Sequence, residues 1–302
     1  MKIPLVNILV SKIYPAPPRF AGGPILNLLG YHVWRVLFFN LAFALRSQRL
    51  PVEEPARSIA KRVITDGVAV IPDFFSPEIF QQIKNECDGL EIKVRNNRAP
   101  HVRRDTFASE DAKHSNSILR KHFIENILLN QVVAAVVRKD VLIAPKVQVE
   151  TSYYHAEDIG KDTTDVKSDN LHFDVSYPTI KCFLYLTDVD ENNAATIFVK
   201  GSHHLTLARL WLEYKMSVMF YWQWDARRRN SETPEVPQAF LDKHGFQRTQ
   251  AVGKANTLII ENTMGFHGRG EYLSTRPRNW IMVTYRELDS LKYIKRKLLR
   301  AK

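Results

Sequence analysis

Residues 171–204 constrain the fold of this chain more than any other segment. His172 and Asp174 stand two positions apart among apolar residues, and residues i and i+2 of a β-strand point to the same face of a sheet. An imidazole and a carboxylate at this spacing can contact one metal ion. Two histidines and one carboxylate leave three octahedral positions open, as in non-haem Fe(II) oxygenases. The sequence therefore predicts a metal centre on a β-sheet, with its second histidine supplied by another segment.

His267 is the best candidate for that second histidine. It follows the apolar run 257–260, which is typical of a buried strand. Arg278 comes eleven positions later, just before another strand-like run. Its planar guanidinium suits a bidentate contact with a dicarboxylate cosubstrate, which a lysine cannot match. Arg276 would lie on the same face of an extended chain, so it remains the alternative.

Lys181 stands seven positions after Asp174, in the same strand-like segment, and is a further candidate for binding the cosubstrate. Its side chain can point into the cavity with the metal ligands or toward solvent, and the sequence leaves both directions open. His203 and His204 follow a Gly-Ser pair and are expected to cap a turn, so we do not count them as ligands.

Four segments, HFD, FLYLTDVDENN, VKGSHH and FHG, resemble those of the phytanoyl-CoA dioxygenase-like family of Fe(II)/2-oxoglutarate-dependent oxygenases. The segment DGVAVIPDFFSPEIF resembles the opening strand and helix of that family, and the resemblance spans residues 59–287. It implies a mainly β fold with flanking helices (α+β), a double-stranded β-helix of the cupin-like jelly-roll type. It also implies Fe(II) held by His172, Asp174 and His267, and the cosubstrate 2-oxoglutarate held by Arg278.

The resemblance further implies an oxidation of a C–H bond, most simply hydroxylation. Halogenating members of the wider group lack a carboxylate at the position of Asp174. The expected partners are O2 and a small-molecule substrate, lipid-like or presented by a membrane. Two alternatives remain: a catalytically inactive, membrane-associated scaffold with the same fold, and a zinc-dependent hydrolase. Arg278, and the lack of a separate general base near His267, argue against the hydrolase.

The positive charge of the chain is concentrated at its two ends. The net charge is +11, yet residues 1–50 hold six Lys or Arg and no acid, and residues 291–302 hold six more and no acid. The catalytic body is therefore close to neutral, which argues against a nucleic-acid partner. Basic ends that also carry apolar side chains suit an anionic membrane surface. The two cysteines are far apart, which predicts a reducing compartment, the cytoplasm. The basic ends predict an additional association with a membrane.

Residues 24–45 are the most hydrophobic segment and predict an extra N-terminal helix. The segment is long enough to span a bilayer, but Arg35 near its centre is costly in hydrocarbon. We favour a helix lying in the membrane interface, with a helix packed on the domain and a true span as alternatives. The side chains expected to enter the membrane are Trp34, Phe38, Phe39 and Phe43.

The chain thus divides into three predicted parts. Residues 1–50 form a basic hydrophobic segment, residues 57–287 the dioxygenase domain, and residues 288–302 a basic amphipathic helix. A further helix over 205–224 is rich in aromatic and Met residues, and it can serve as plain packing or as a lid or membrane contact.

Overall fold

The computed structural model describes residues 20, 23–90, 102–108, 117–138, 146–154, 171–222, 235–271 and 273–285. Nine strands lie in these ranges and form two antiparallel sheets, ordered β1-β7-β4-β9-β3-β2 and β6-β5-β8. The strands are β1 (Val68–Ile71), β2 (Val102–Ala108), β3 (Lys146–Tyr154), β4 (Ile180–Tyr185), β5 (Thr196–Val199), β6 (Arg248–Ala251), β7 (Leu258–Asn262), β8 (His267–Arg269) and β9 (Arg278–Tyr285).

The large sheet is buried on both faces, as strand β4 illustrates. Alternate side chains of a strand point to opposite faces. Cys182 and Leu184 pack in the cluster that joins the sheet to the helices, whereas Phe183 and Tyr185 pack against the small sheet. Apolar residues on both faces explain why this segment is a continuous hydrophobic run in the sequence.

Seven α-helices surround the sheets in the described ranges. They are α1 (Gly23–Leu28), α2 (Tyr31–Ala44), α3 (Ala56–Asp66), α4 (Pro77–Asp88), α5 (Ile127–Val137), α6 (Leu207–Trp222) and α7 (Gln238–Lys243). Helix α4 begins as its sequence predicts, with Pro77 in the first turn and the Ser76 hydroxyl accepting from the amide of Ile79. Helices α3, α4 and α5 cover the outer face of the large sheet. The predicted mainly β fold with flanking helices is confirmed.

The hydrophobic N-terminal segment is not one helix but two. Gly30 separates α1 from α2 with φ of 83°, a left-handed conformation that glycine adopts without a Cβ penalty. Both helices pack against α6. None of the helices in the described parts of the chain combines the length and apolar character that a membrane crossing requires. The helix predicted over 288–302 lies outside the described residues, and the division into three parts stays a prediction.

Candidate metal centre

His172 and His267 meet across a short antiparallel bridge between the two predicted motifs. The amide of each histidine donates to the carbonyl of the other at 2.8 Å, and the amide of Asp174 donates to Thr263 at 3.0 Å. These backbone bonds place the two imidazole centroids 4.5 Å apart. Residues 95 positions apart in the sequence thus share one site because strand β8 is built beside the HFD segment.

The three predicted ligands converge on one point. Asp174 Oδ1 lies 4.0 Å from His172 Nε2 and 3.8 Å from His267 Nε2. One potential ligand atom from each residue lies within 4.8 Å of the other two. Protein nitrogen and oxygen ligands bind a transition metal at about 2.1 Å. Small side-chain rotations therefore suffice for one ion to contact all three.

The ring of His267 is oriented for metal binding. Its Nδ1 lies 2.9 Å from the carbonyl oxygen of Gly265, so Nδ1 carries the proton and donates. The other nitrogen, Nε2, is buried and has no hydrogen-bond partner among the residues that the structure describes. An imidazole fixed by a backbone carbonyl, with a buried acceptor nitrogen facing a carboxylate, is the usual arrangement of a metal-binding histidine. The residues present fit a metal ion.

Lys181 points into the site and not to solvent. Its Nζ lies 2.5 Å from Asp174 Oδ2. Burial would raise the pKa of Asp174, but the charge of Lys181, with lesser contributions from His267 and His172, outweighs burial and lowers that pKa. Asp174 is therefore a carboxylate, the form that binds a cation.

Glu261 is a site residue that sequence reasoning missed. It lies on β7, directly opposite Lys181 on β4, and is fully buried. Neither carboxylate oxygen has a hydrogen-bond partner in the described ranges. Burial raises the pKa of Glu261, against smaller lowering effects of His267 and Lys181. The one available signal was a lone acidic residue in the apolar run LIIEN.

The two candidate arginines occupy different environments. Arg278 is completely buried, its guanidinium carbon 3.6 Å from the centroid of the Trp280 ring, and it donates to the carbonyl of Ala194. Arg276 is more than half exposed and pairs with Asp190 at the surface. Of the two, only Arg278 has a guanidinium enclosed by the protein interior.

His203 and His204 lie outside the metal centre, with their Nε2 atoms bonded to the carbonyls of Ile64 and Thr65.

A second buried charge network, also missed from the sequence, supports the metal centre from behind. The guanidinium carbon of Arg209 lies 4.4 Å from the Phe173 ring centroid and 4.2 Å from that of Phe266. Phe173 separates His172 from Asp174, and Phe266 precedes His267. Arg209 also donates to the backbone carbonyls of Ser202 and Met264. One guanidinium therefore contacts both segments that carry the predicted ligands.

Glu213 completes this network. Its carboxylate accepts from Arg209 Nε at 2.7 Å, His32 Nε2 at 2.8 Å and the Ser176 hydroxyl at 2.7 Å. Burial would raise the pKa of Glu213, but the charge of Arg209 and the hydrogen bonds lower it to about 2. The i, i+4 spacing of Arg209 and Glu213 in a largely apolar helix was the signal for this pair.

A model of the phytanoyl-CoA dioxygenase (PhyH) family matches residues 64–239, more than half of the chain. The chain belongs to this family. Membership of this family supports a dioxygenase-type function. The matched range contains His172 and Asp174 but ends before His267 and Arg278. The assignment of those two residues therefore rests on their order in the sequence and on the geometry described above.

Comparison with solved structures supports the same fold. The epimerase SnoN, in complex with Fe3+, alpha ketoglutarate and nogalamycin RO, is 14% identical, with a TM-score of 0.52 over 77% of this chain and 83% of its own. HygX from Streptomyces hygroscopicus, with nickel and 2-oxoglutarate bound, is 16% identical, with a TM-score of 0.47 over 77% of this chain and 87% of its own. At this level of identity the likeness to SnoN shows the fold alone. No curated protein matches the chain in sequence.

Proposed function

We propose that this protein is an Fe(II)- and 2-oxoglutarate-dependent dioxygenase that hydroxylates a C–H bond of a small molecule. The observation that carries the proposal is the convergence of His172, Asp174 and His267, with the Nε2 of His267 buried beside the Asp174 carboxylate. A 2-His-1-carboxylate set leaves positions for a cosubstrate and O2. Family membership supports the same class of chemistry.

In this proposal His172, Asp174 and His267 would hold Fe(II), which would activate O2 for the coupled oxidation of 2-oxoglutarate and the substrate. The protein prepares the ligands before metal arrives. Asp174 is ionised, and the hydrogen bond to Gly265 fixes the proton of His267 on Nδ1. Arg278 binds the distal carboxylate of 2-oxoglutarate. Its guanidinium is enclosed by Trp280 and the carbonyl of Ala194, and charge-assisted bonds are strongest in such a buried setting.

We further propose that the substrate is lipid-like or presented by a membrane, and that the reaction takes place on the cytoplasmic side. Exposed apolar side chains on the helices beside the metal centre support the first part. Both cysteines are buried free thiols, which supports a reducing compartment. The chemistry at the metal centre does not depend on this part of the proposal.

Release of succinate and CO2 from 2-oxoglutarate by the Fe(II)-loaded protein tests the activity. Extracts of membrane lipids and of soluble metabolites should be offered separately, and stimulation is expected with the lipid extract. His172→Ala and His267→Ala should abolish turnover. Undiminished turnover in either variant would remove the iron assignment. A wild-type protein that binds Fe(II) but never consumes 2-oxoglutarate would instead favour the inactive scaffold.

A further inference from the structure

Helix α2 has the opposite polarity to a surface helix of a soluble protein. Its outward side chains are all apolar and recur with helical spacing: Trp34, Leu37, Phe38, Leu41 and, one residue beyond the helix, Leu45. Trp34 is 71% exposed and Phe38 59%. Two of its polar residues, His32 and Asn40, point inward: His32 contacts Glu213, and Asn40 donates to the carbonyl of Ser176 at 2.7 Å. An exposed stripe of this size marks an interaction site.

The two remaining aromatic side chains predicted to enter a membrane face the domain instead. The Phe39 ring lies 5.8 Å from that of Tyr177, and Arg138 lies over the Phe43 ring. Leu37 and Leu41 take their places on the outward side. Of the four aromatic side chains that the sequence predicted to enter a membrane, Trp34 and Phe38 are exposed and the other two face the domain, because hydrophobicity alone does not distinguish two apolar sides.

Neighbouring helices extend the stripe into a broader surface. Tyr214 of α6 donates to the carbonyl of Leu28 at the end of α1, and Trp211 stacks on Tyr214 with ring centroids 5.3 Å apart. These contacts join the three helices on one side of the molecule. We define the apolar face as Ile25, Leu28, Leu29, Trp34, Leu37, Phe38, Leu41, Leu45 and Trp211, all of them exposed.

Positive charge accompanies the apolar face. Arg35, Arg46 and Arg49 lie within or just after α2, and Lys215 lies 5.8 Å over the Trp211 ring. No Asp or Glu occurs anywhere in residues 1–52. Aromatic and aliphatic side chains with basic neighbours are typical of helices that lie at the boundary between lipid headgroups and acyl chains. A symmetric dimer through the same face would instead bring like charges together.

We propose that the apolar face docks on an anionic membrane leaflet, with α2 lying parallel to the surface. The proposal deepens the proposed function, on which its link to substrate rests. Ser176, which accepts from Asn40, is two positions beyond Asp174, so one helix diameter of about 10 Å separates the leaflet from the segment that carries a predicted metal ligand. A substrate leaving the leaflet has a short path to the metal centre.

Co-sedimentation of the full-length protein with phosphatidylcholine vesicles, with and without phosphatidylserine, tests the docking. We expect binding to the anionic vesicles at low salt and partial loss at high salt, because salt screens the charges but does not weaken apolar burial. The double variant Phe38→Gln/Leu41→Gln should bind at least tenfold more weakly. Ile127→Gln, which changes an equally exposed side chain on α5, is the matched control and should bind like the wild type.

Quenching of tryptophan fluorescence by brominated acyl chains locates the contact. Trp34→Phe/Trp211→Phe should still sediment with vesicles but lose most of the quenching, because Phe keeps the apolar contact at both exposed positions without the fluorophore. Wild-type protein that stays in the supernatant at low salt, quenching that persists in Trp34→Phe/Trp211→Phe, or an equal loss of vesicle binding in Ile127→Gln would each overturn the proposal. So would light scattering that shows a wild-type dimer converted to a monomer by Phe38→Gln/Leu41→Gln.

Turnover of 2-oxoglutarate without vesicles separates this proposal from the proposed function. Phe38→Gln/Leu41→Gln should keep the basal turnover of the wild type, since neither side chain contacts the metal centre. Vesicle binding by a wild-type protein that lacks turnover would contradict the enzyme and leave the docking surface in place. Turnover without vesicle binding would contradict the docking surface alone.

Discussion

Glu213 and Glu261 are two completely buried carboxyl groups with opposite electrostatic behaviour. Glu213, on α6 behind the metal centre, accepts from Arg209, His32 and Ser176, and its pKa falls to about 2 although burial alone would raise it. For Glu261, on β7, no hydrogen bond exists within the described ranges, and burial raises its pKa. The difference teaches that partners, and not depth, determine the charge of a buried carboxyl group.

The largest effect is expected from breaking the Glu213 network. Arg209→Met leaves the Glu213 carboxylate buried without its guanidinium partner, and such a change costs about 3–5 kcal/mol. It also removes the cation between the Phe173 and Phe266 rings. Urea unfolding of the metal-free protein measures the loss.

A matched double variant sharpens this test. Arg209→Met/Glu213→Leu removes both charges and should regain part of the stability, because no buried ion is left unpaired. A single variant that costs less than about 1 kcal/mol would show that Glu213 is not held as a buried anion.

Arg278 extends the comparison to a buried cation. Arg278→Lys exchanges a planar, bidentate donor for a point charge, and the affinity for 2-oxoglutarate should fall by about 1.5–3 kcal/mol, roughly 10- to 150-fold. Titration of the metal-loaded protein with 2-oxoglutarate measures the shift. Arg276→Lys is the matched control and should change little, because Arg276 pairs with Asp190 at the surface. A reversed pattern would assign the cosubstrate to Arg276.

Lys181, which faces both Asp174 and Glu261, should give a smaller effect. Its ammonium contacts Asp174 Oδ2 at 2.5 Å, so its positive charge lies close to the point where an incoming divalent cation would bind. Lys181→Met should therefore tighten the binding of Ni2+ to the protein by about 1 kcal/mol, roughly fivefold. Calorimetric titration gives the affinity, and Lys181→Arg, which keeps the charge, should not gain. Weaker binding in Lys181→Met would mean that Lys181 assists the metal.

The smallest effect is expected for Glu261→Gln. The folded protein keeps the Glu261 proton at pH values where the unfolded chain has lost it, so this group lowers stability as pH rises from the ordinary glutamate value of 4.5 toward the raised folded pKa. Glutamine does not titrate. The variant should be within about 1 kcal/mol of the wild type at pH 4.5 and gain relative to it as pH rises through that window.

For Glu213→Gln we expect the difference in stability from the wild type to change with pH in the opposite direction. The contribution of Glu213 is present above the unfolded value of 4.5 and is lost as pH falls toward the folded pKa of about 2. Urea unfolding of the metal-free proteins at a series of pH values measures both slopes. Slopes of the same sign in the two variants would contradict the contrast between the two carboxyl groups.

The sequence by itself determined the class of fold and the three residues of the predicted metal centre. In an extended chain the side chains of His172 and Asp174 point to the same face because they are two positions apart, and this holds whichever strand lies alongside. The separation of eleven positions between His267 and Arg278 can likewise be read from the sequence alone. The apolar run 257–260 predicted a buried strand, and it overlaps β7, in which every side chain is buried.

Only the tertiary structure decided which charged side chains face inward. Arg278 is buried against Trp280 whereas Arg276 is exposed, and Lys181 and Glu261 became neighbours only through the pairing of β4 with β7. His32 and Glu213 are 181 positions apart, and Asn40 and Ser176 are 136 apart. Contacts of this separation depend on how helices dock on the sheets, and neither hydrophobic period nor residue spacing carries that information.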